Sequence, residues 1–145
     1  MRVEIRESGF DPWLEISSHE QERLTEPSRV GAAAVFVGTM RDVNEGDVVS
    51  GMTLEHYPQM TERHLRGICE RAMQQWDIAD LLLLHRVGEI RPGEAIVLVA
   101  VWSGHRAEAY AANRFIMEDL KSKAPFWKKE QLASGARWVT RNTPG

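Results

Sequence analysis

The sequence predicts an α+β fold in which two long helices pack on a largely antiparallel sheet. Strand-like apolar runs occur in pairs, and the pairs are separated by two stretches with the 3.6-residue periodicity of helices. The order is therefore strands, helix, two strands, helix, strands, which is typical of segregated rather than alternating elements. A length of 145 residues suits one domain, and we expect a single domain over residues 1–145.

Residues 1–29 form an N-terminal leader region with weak periodicity. Val3 and Ile5 alternate with charged residues, which predicts a first strand. Asp11-Pro12 indicates a turn. Residues 17–20 (Ser-Ser-His-Glu) are predicted to cap a short helix.

Two strands are predicted next. Residues 30–38 are an apolar run bounded by glycines, typical of a buried strand, and residues 48–57 alternate between apolar and polar side chains. Residues 44–47 (Asn-Glu-Gly-Asp) lie between them and are a turn signal. Together these segments predict a β-hairpin with a mobile tip.

A long amphipathic helix is predicted from Pro58 and Thr61 onward. Cys69 lies within its apolar stripe, so we expect a small core residue and a poor nucleophile. The stripe consists of Leu65, Ile68, Cys69, Ala72, Met73 and Trp76.

The second half of the chain predicts two more strands, a helix and a hairpin. One strand runs from Leu81 to about Ile90, and another covers residues 95–102, after a tight turn at 91–94. A helix over about 106–122 is stopped by Pro125. Its core stripe is Ala112, Phe115, Ile116 and Leu120. The last hairpin is expected to pair residues 126–132 with 136–140, and residues 141–145 to form a flexible tail.

Composition argues against several classes of function. A net charge of -3 and a pI near 6.0 argue against a general attraction to nucleic acid or an anionic membrane. The single cysteine excludes an internal disulfide and cysteine-based zinc sites. No signal peptide is recognisable, and no apolar run approaches the ~18 residues that span a membrane. We therefore expect a cytoplasmic location.

Residues 102–108 join a predicted strand to the start of a helix. Backbone N–H groups at a helix start favour an anion. His105 and Arg106 nevertheless place positive side chains there, against the helix dipole. A phosphate or carboxylate bound between them would explain this arrangement. Alternatively, Arg106 could pair with an acid elsewhere while His105 caps the turn.

Residues 121–130 place two large aromatic residues between two pairs of lysines. Phe126 and Trp127 can form a semi-apolar wall that desolvates an ammonium group and lowers its pKa, as a catalytic lysine requires. A core hairpin with lysines that extend to solvent would produce the same pattern.

A weaker signal lies at residues 36–42, at the end of the first central strand. Gly38 permits close backbone approach, and Arg41 offers a planar fork to an anion, although a lone arginine after a strand is usually a surface residue. The five histidines show no pair at metal-ligand spacing, so no metal is expected.

Four stretches resemble the MoaE family, the catalytic (large) subunits of molybdopterin synthase. They are residues 54–58 (Leu-Glu-His-Tyr-Pro), 85–90 (His-Arg-Val-Gly-Glu-Ile), 103–106 (Ser-Gly-His-Arg) and 121–130 (Lys-Ser-Lys-Ala-Pro-Phe-Trp-Lys-Lys-Glu). The resemblance covers about residues 28–140, and its last motif is highly specific.

The resemblance implies an α/β hammerhead-type fold with an additional antiparallel β subdomain. It implies a homodimer at the core of a heterotetramer, with a small ubiquitin-like sulfur carrier at each end. The carrier's C-terminal Gly-Gly thiocarboxylate is expected to enter a pocket and give its sulfur to cyclic pyranopterin monophosphate, which forms the dithiolene of molybdopterin. The resemblance implies no metal or organic cofactor.

The resemblance also implies roles for individual residues. Lys121 and Lys128 match essential lysines. Lys128 is expected to face the carrier's terminal carbonyl, and Lys121 to transfer a proton or orient the pterin. The other expected substrate-binding residues are Thr39, Met40, Arg41, His105, Arg106, Lys129 and Glu130, some of them supplied by the other protomer. Phe36 and Met117 are expected near the carrier tail. Some family members have a lysine in place of Thr39, so this chain departs from them by having no charged side chain at that position.

Two other functions fit the same residues. A dimeric scaffold could hold the ubiquitin-like carrier without catalysis, although it would not need both Lys121 and Lys128. A small phosphometabolite-sensing domain could use the helix start at His105 and Arg106, and it would ignore a thiocarboxylated protein.

Overall fold

The structure is a computed structural model that describes residues 1–140, so the predicted tail at 141–145 lies outside the described residues. The helices are α1 (Pro12–Glu22), α2 (Pro58–Gln75) and α3 (Arg106–Lys123). The strands are β1 (Arg2–Arg6), β2 (Ala32–Thr39), β3 (Val43–Asn44), β4 (Asp47–His56), β5 (Ile78–Arg86), β6 (Gly88–Ile90), β7 (Ala95–Ser103), β8 (Phe126–Leu132) and β9 (Gly135–Trp138). No helix in the described range is both long and apolar enough to cross a bilayer.

The first sheet has the strand order β1-β5-β7-β2. Only β1 and β5 are parallel; the other neighbours are antiparallel. Successive side chains of a strand point to opposite faces. One face of β7, represented by Val99, packs against α2 and α3, and the other, represented by Trp102, packs on the side of α1. These contacts confirm the predicted α+β class with a largely antiparallel sheet.

The second sheet is entirely antiparallel and has the order β3-β4-β8-β9, with β6 also paired to β4. It has a small core of its own, formed by Met40, Val49, Met52, Leu54 and Ile90. The chain enters this sheet directly from the first one, between β5 and β6. Gly88 allows the passage, because its φ of 81° is readily accessible to glycine.

The predicted hairpin between residues 30–38 and 48–57 is wrong. β2 pairs with β7 in the first sheet, whereas β4 pairs with β8 in the second. Two apolar runs that are adjacent in sequence resemble a hairpin, but here residues 40–42 carry the chain from one sheet to the other. The turn at 44–47 is correct and closes a tighter hairpin of β3 with β4, since Glu45 and Gly46 both have positive φ.

Three other predictions also need correction. β2 is an edge strand with a single neighbour, so Val35 and Phe36 are 38% and 39% exposed rather than buried. The strand predicted from Leu81 to Ile90 is two strands in different sheets. Residues 17–20 lie inside α1, because Asp11 caps that helix by accepting hydrogen bonds from the backbone of the next turn.

The remaining elements follow the sequence predictions closely. In α2, the residues from Leu65 to Ala72 on the predicted stripe are buried. Cys69 is inaccessible, and burial raises the pKa of its thiol to about 12. α3 ends just before Pro125, and β8 and β9 form the predicted last hairpin.

Glycine at position 31 is required where β2 begins beside the end of β7. A Cβ atom there would clash with the backbone carbonyl oxygen of Gly104. We expect Gly31→Ala to lower the free energy of unfolding by about 1–3 kcal/mol, because the backbone must shift to relieve the overlap. Gly67→Ala in α2 is the matched control, since its Cβ would lie 3.5 Å from the flexible end of Arg71.

The control should raise stability by up to about 1 kcal/mol through helix propensity. Urea denaturation of the two variants and the parent chain measures both effects. Equal stabilities for the two variants would contradict the close packing of residues 31 and 104.

Candidate functional site

The end of α3 and the start of β8 surround a cavity of about 230 Å³ that contains Lys121 and Lys128. A second hollow of about 80 Å³ adjoins it and shares both lysines. The smaller hollow adds Thr39, Met40 and Arg41, which follow β2, and Glu130 from β8. We call these two adjoining hollows the lysine cavity. It brings together six of the predicted site residues.

Local sequence explains why the two lysines converge. Ala124 adopts an extended conformation before Pro125, which ends α3 and leaves Lys121 in its last turn. β8 starts at once, and alternation along it places Phe126, Lys128 and Glu130 on the face toward the cavity. The chain reversal at Pro125 therefore aligns the end of a helix with one face of a strand.

Burial lowers the pKa of both lysines. Desolvation, together with the positive charge of Lys128, lowers the pKa of Lys121 to about 8. Desolvation also lowers the pKa of Lys128, and Arg41 adds to this effect, but the carboxylate of Glu130 opposes it. Lys121 is therefore the lysine that can more readily lose its proton near neutral pH.

Glu130 is held rigidly beside the lysines. Its side chain is buried, and both of its oxygens accept hydrogen bonds from Asn44 Nδ2, at 3.1 and 3.0 Å. Arg137 Nε also donates to Oε1 at 3.0 Å, and the same guanidinium reaches Asp47 at 2.7 Å and the carbonyl of Asn44 at 2.9 Å. These bonds fix Glu130 as a stationary acceptor and tie the β3–β4 turn to the cavity wall.

His85 is a cavity residue to which sequence reasoning assigned no role. It lies near the end of β5 and is 4% exposed, and its ring stacks on Phe126 with a centroid distance of 4.0 Å. Burial lowers the pKa of this imidazole to about 3, and the nearby Lys121 and Lys128 also disfavour its protonation. Asn44 and Arg137 were missed as well, because they reach the site through contacts across 86 and seven residues of sequence.

The other predicted site residues lie outside the lysine cavity. His105 and Arg106 are exposed at the start of α3, and 15 residues of helix separate Arg106 from Lys121, about 22 Å. Lys129 points to the opposite face of β8 from Lys128, where its Nζ lies 5.6 Å from the centre of the Trp138 ring.

Phe36 and Met117, the residues expected near the carrier tail, belong to β2 and α3. Met117 is one helical turn before Lys121 and on the same side of the helix. It is nearly buried, whereas Phe36 is partly exposed on the edge strand. Neither residue is among those that line the lysine cavity.

A larger hollow lies elsewhere among the described residues. It has a volume of about 710 Å³ between the start of α1 and the start of β7, and it shares only Thr39 with the predicted site. The lysine cavity is smaller, but it contains Lys121 and His85, two groups with strongly shifted pKa values, so we take it as the candidate functional site. No cluster of three or more potential metal-binding side chains occurs within residues 1–140.

The family is shown by comparison with known proteins. The family model described as MoaE protein matches residues 13–123. The chain belongs to the MoaE family. The molybdopterin synthase catalytic subunit of Ralstonia nicotianae is 56% identical to this MoaE chain over 137 residues, 94% of this chain and 76% of that protein.

Two solved structures share the fold of this MoaE chain. The crystal structure of molybdopterin synthase from Staphylococcus aureus has a TM-score of 0.85 and 28% identity, and covers 97% of this chain and 98% of that one. A protein–protein complex of subunits 1 and 2 of the molybdopterin-converting factor from Helicobacter pylori has a TM-score of 0.80 at 20% identity, with coverages of 98% and 93%. The predicted fold with its additional β subdomain is confirmed.

The buried charge of Lys121 should reduce stability in a pH-dependent way. Below pH 8 the lysine is protonated in both the folded and the unfolded chain, so the cost of burying the charge is fully present. Between pH 8 and 10.5 the unfolded chain keeps the proton and the folded chain releases it, so this cost diminishes as pH rises. We expect Lys121→Met to raise the melting temperature at pH 7 by roughly a few degrees.

The gain should shrink when melting is measured at pH 10. Lys123→Met is the matched control, since Lys123 is exposed and pairs with Asp119 at 3.8 Å. It should not raise the melting temperature at either pH. A Lys121→Met gain that is independent of pH would contradict burial of a charged amine as its cause.

Proposed function

We propose that this chain is the catalytic subunit of a molybdopterin synthase and that its active site is the lysine cavity. The reaction moves sulfur from the C-terminal thiocarboxylate of a small ubiquitin-like carrier to cyclic pyranopterin monophosphate, which forms the dithiolene of molybdopterin. The observation that carries the assignment of the site is the meeting of Lys121 and Lys128 in one largely buried cavity, within a chain of the MoaE family.

The sulfur must arrive on a partner, because this chain has no thiol that could carry it. Its single cysteine, Cys69, is inaccessible and has a strongly raised pKa, so it forms little thiolate. The Helicobacter pylori relative is named as a complex of two subunits, which supports a small-subunit partner for this chain. An extended tail that ends in two glycines has the shape to enter a narrow cavity.

The environments of the two lysines support different roles. Lys128 has Glu130 to favour its ammonium form, so we assign to it the stabilisation of negative charge on the carrier's terminal carbonyl as sulfur leaves. Lys121 has a pKa of about 8, close to neutral pH, which suits a group that transfers protons. Glu130 then acts by orienting Lys128 rather than by taking up a proton, because its oxygens already accept three hydrogen bonds.

Arg41 supplies a third cation to the cavity, which supports binding of the substrate phosphate there. Thr39 and Met40 form the adjoining wall. Contact with the carrier tail is assigned to Phe36 and Met117 from the resemblance of this chain to its family. Lys129 lies on the other side of β8, so its direct contact with substrate has no support within one chain.

His105 and Arg106 can join the lysine cavity only if another chain provides them. A helix of this length keeps them about 22 Å from Lys121 of the same chain. We therefore propose a cytoplasmic homodimer in which the start of α3 from one protomer approaches the end of α3 from its partner, with one carrier bound at each end. Each active site would then contain residues of both protomers.

Reconstitution tests the proposed reaction. The purified chain is mixed with thiocarboxylated carrier and cyclic pyranopterin monophosphate, and molybdopterin is followed through its fluorescent oxidation product. Lys128→Ala and Lys121→Ala should each reduce turnover more than tenfold, a loss of more than ~1.4 kcal/mol of transition-state stabilisation. Lys123→Ala, an exposed lysine on the same helix, should retain activity.

Carrier binding without product formation by the parent chain would instead support the non-catalytic scaffold. Turnover within tenfold of the parent in Lys128→Ala would show that its assignment is wrong.

Mixed dimers test the shared active site. A chain with Lys121→Ala and Lys128→Ala and a chain with Arg106→Ala should each be nearly inactive as homodimers. In a mixed dimer, the intact lysines of one protomer meet the intact Arg106 of the other, so one of the two sites is complete. Random exchange at equal concentrations makes half of the dimers mixed and should restore about a quarter of the parent turnover. No recovery after verified subunit exchange would place Arg106 outside the partner's site.

A further inference from the structure

We propose that His85 binds a reactant in the lysine cavity and that its Nε2 atom accepts a hydrogen bond from an N–H group of that reactant. The identity of the reactants, the carrier tail and the pterin, rests on the function proposed above. The role of His85 itself rests on its position, its tautomer and the groups that surround it.

The backbone determines the tautomer of His85. Its Nδ1 atom lies 2.9 Å from the carbonyl oxygen of Arg86. A carbonyl oxygen can only accept a hydrogen bond, so Nδ1 must carry the hydrogen. In a neutral imidazole this leaves a lone pair on Nε2, which makes that nitrogen an acceptor.

The ring stays neutral throughout the physiological pH range. Burial lowers the pKa of His85 to about 3, and the ammonium groups of Lys121 and Lys128 oppose a third positive charge in the same cavity. The lone pair on Nε2 is therefore present whenever the protein works. His85 cannot supply a proton or a charge there, but it can receive a hydrogen bond.

The lysine cavity needs such an acceptor. Lys121, Lys128 and Arg41 offer N–H donors, and the carboxylate of Glu130 is already bonded to Asn44 and Arg137. A reactant that enters also carries N–H groups, in the backbone amides of a Gly-Gly tail and in the ring of a pterin. Each such group loses water on entry, and leaving it without an acceptor weakens binding.

His85 is also held in place before any reactant binds. Its ring stacks on Phe126 at 4.0 Å with an interplanar angle of 15°, and its other nitrogen is bonded to the backbone. A fixed acceptor binds a donor without a further loss of side-chain freedom. The alternative is a purely structural histidine, which would need only the stack and the bond from Nδ1 to Arg86.

Three substitutions separate these two roles. His85→Asn retains an amide that can donate to the Arg86 carbonyl but has no acceptor at the position of Nε2. His85→Gln places an amide oxygen near the position of Nε2 but gives up the bond to Arg86. His85→Phe retains the ring and its stack but lacks both nitrogens, and it replaces the asparagine variant in the comparison if that variant does not fold.

We expect His85→Gln to retain turnover within about threefold of the parent, and His85→Asn and His85→Phe to lose tenfold or more. All assays are run well below the lowest melting temperature of the set. The proposal would be overturned if the His85→Gln variant were no more active than the His85→Asn or His85→Phe variant. Parent-like activity of the His85→Phe variant would also overturn it. A structural histidine would give the opposite order, with asparagine the most active and glutamine impaired.

Binding measurements identify which reactant donates. Calorimetry with non-thiocarboxylated carrier is performed with and without its last two glycines, and KM is measured for the pterin. A donor in the tail predicts that His85→Asn weakens binding of the intact carrier about tenfold and leaves binding of the shortened carrier unchanged. A donor in the pterin predicts unchanged carrier binding and a raised KM. Parent-like values in both measurements would overturn the proposal.

The same design separates this inference from the proposed function. Absence of turnover in the parent chain would contradict the function, whatever residue 85 is. A parent chain that is active and insensitive to residue 85 would overturn the role of His85 alone. The calorimetric comparison requires no turnover, so it tests the tail contact even with an inactive carrier.

Discussion

Confinement of two ammonium groups in one cavity is the constraint on which the rest of this structure depends. Burial lowers the pKa of both lysines, and the positive charge of Lys128 also lowers that of Lys121. A single buried carboxylate, Glu130, compensates, and it must itself be held against the loss of water. Asn44 and Arg137 hold it, and Arg137 in turn anchors the β3–β4 turn. The β3–β4 turn and the last hairpin of the second sheet are therefore linked through hydrogen bonds to the carboxylate beside the lysines.

The first sheet supplies the rigid frame for this arrangement. Its central strands are buried on both faces, with helices α2 and α3 on one side and α1 on the other. α3 carries a cationic start at one end and Lys121, a lysine of the candidate site, at the other. The two ends of α3 are too far apart to contribute to the same site, so in a dimer each end can contribute to a different site.

The sequence predicted local elements well and their partners poorly. The stripe of α2, the stop at Pro125 and the turn at Gly46 depend on chemistry within a few residues, and all three are confirmed. Pairing of β2 with β7 and of β4 with β8 joins segments about 60 to 80 residues apart, and strand patterns carry no signal for the choice of neighbour.

The same contrast between local and long-range features applies to the candidate site. Lys121 and Lys128 were predicted from a local motif. Their geometry with Arg41 and Glu130 follows from long-range pairing that only the structure provides. His85 begins one of the stretches that resemble the family, but its sequence context predicted no role for it, because an imidazole in a buried strand is usually a core residue.

The order of synthesis gives the pairing of β4 with β8 a consequence for the nascent chain. All four strands of the first sheet are synthesised before β8, so none of that sheet's pairings depends on the final hairpin. The edge of β4 that pairs with β8 stays uncovered while about 70 more residues are synthesised. During this interval an open strand edge is available to other chains, and the lysine cavity is incomplete, because Lys128 and Glu130 belong to β8. The lysine cavity is thus completed last, when the final hairpin forms.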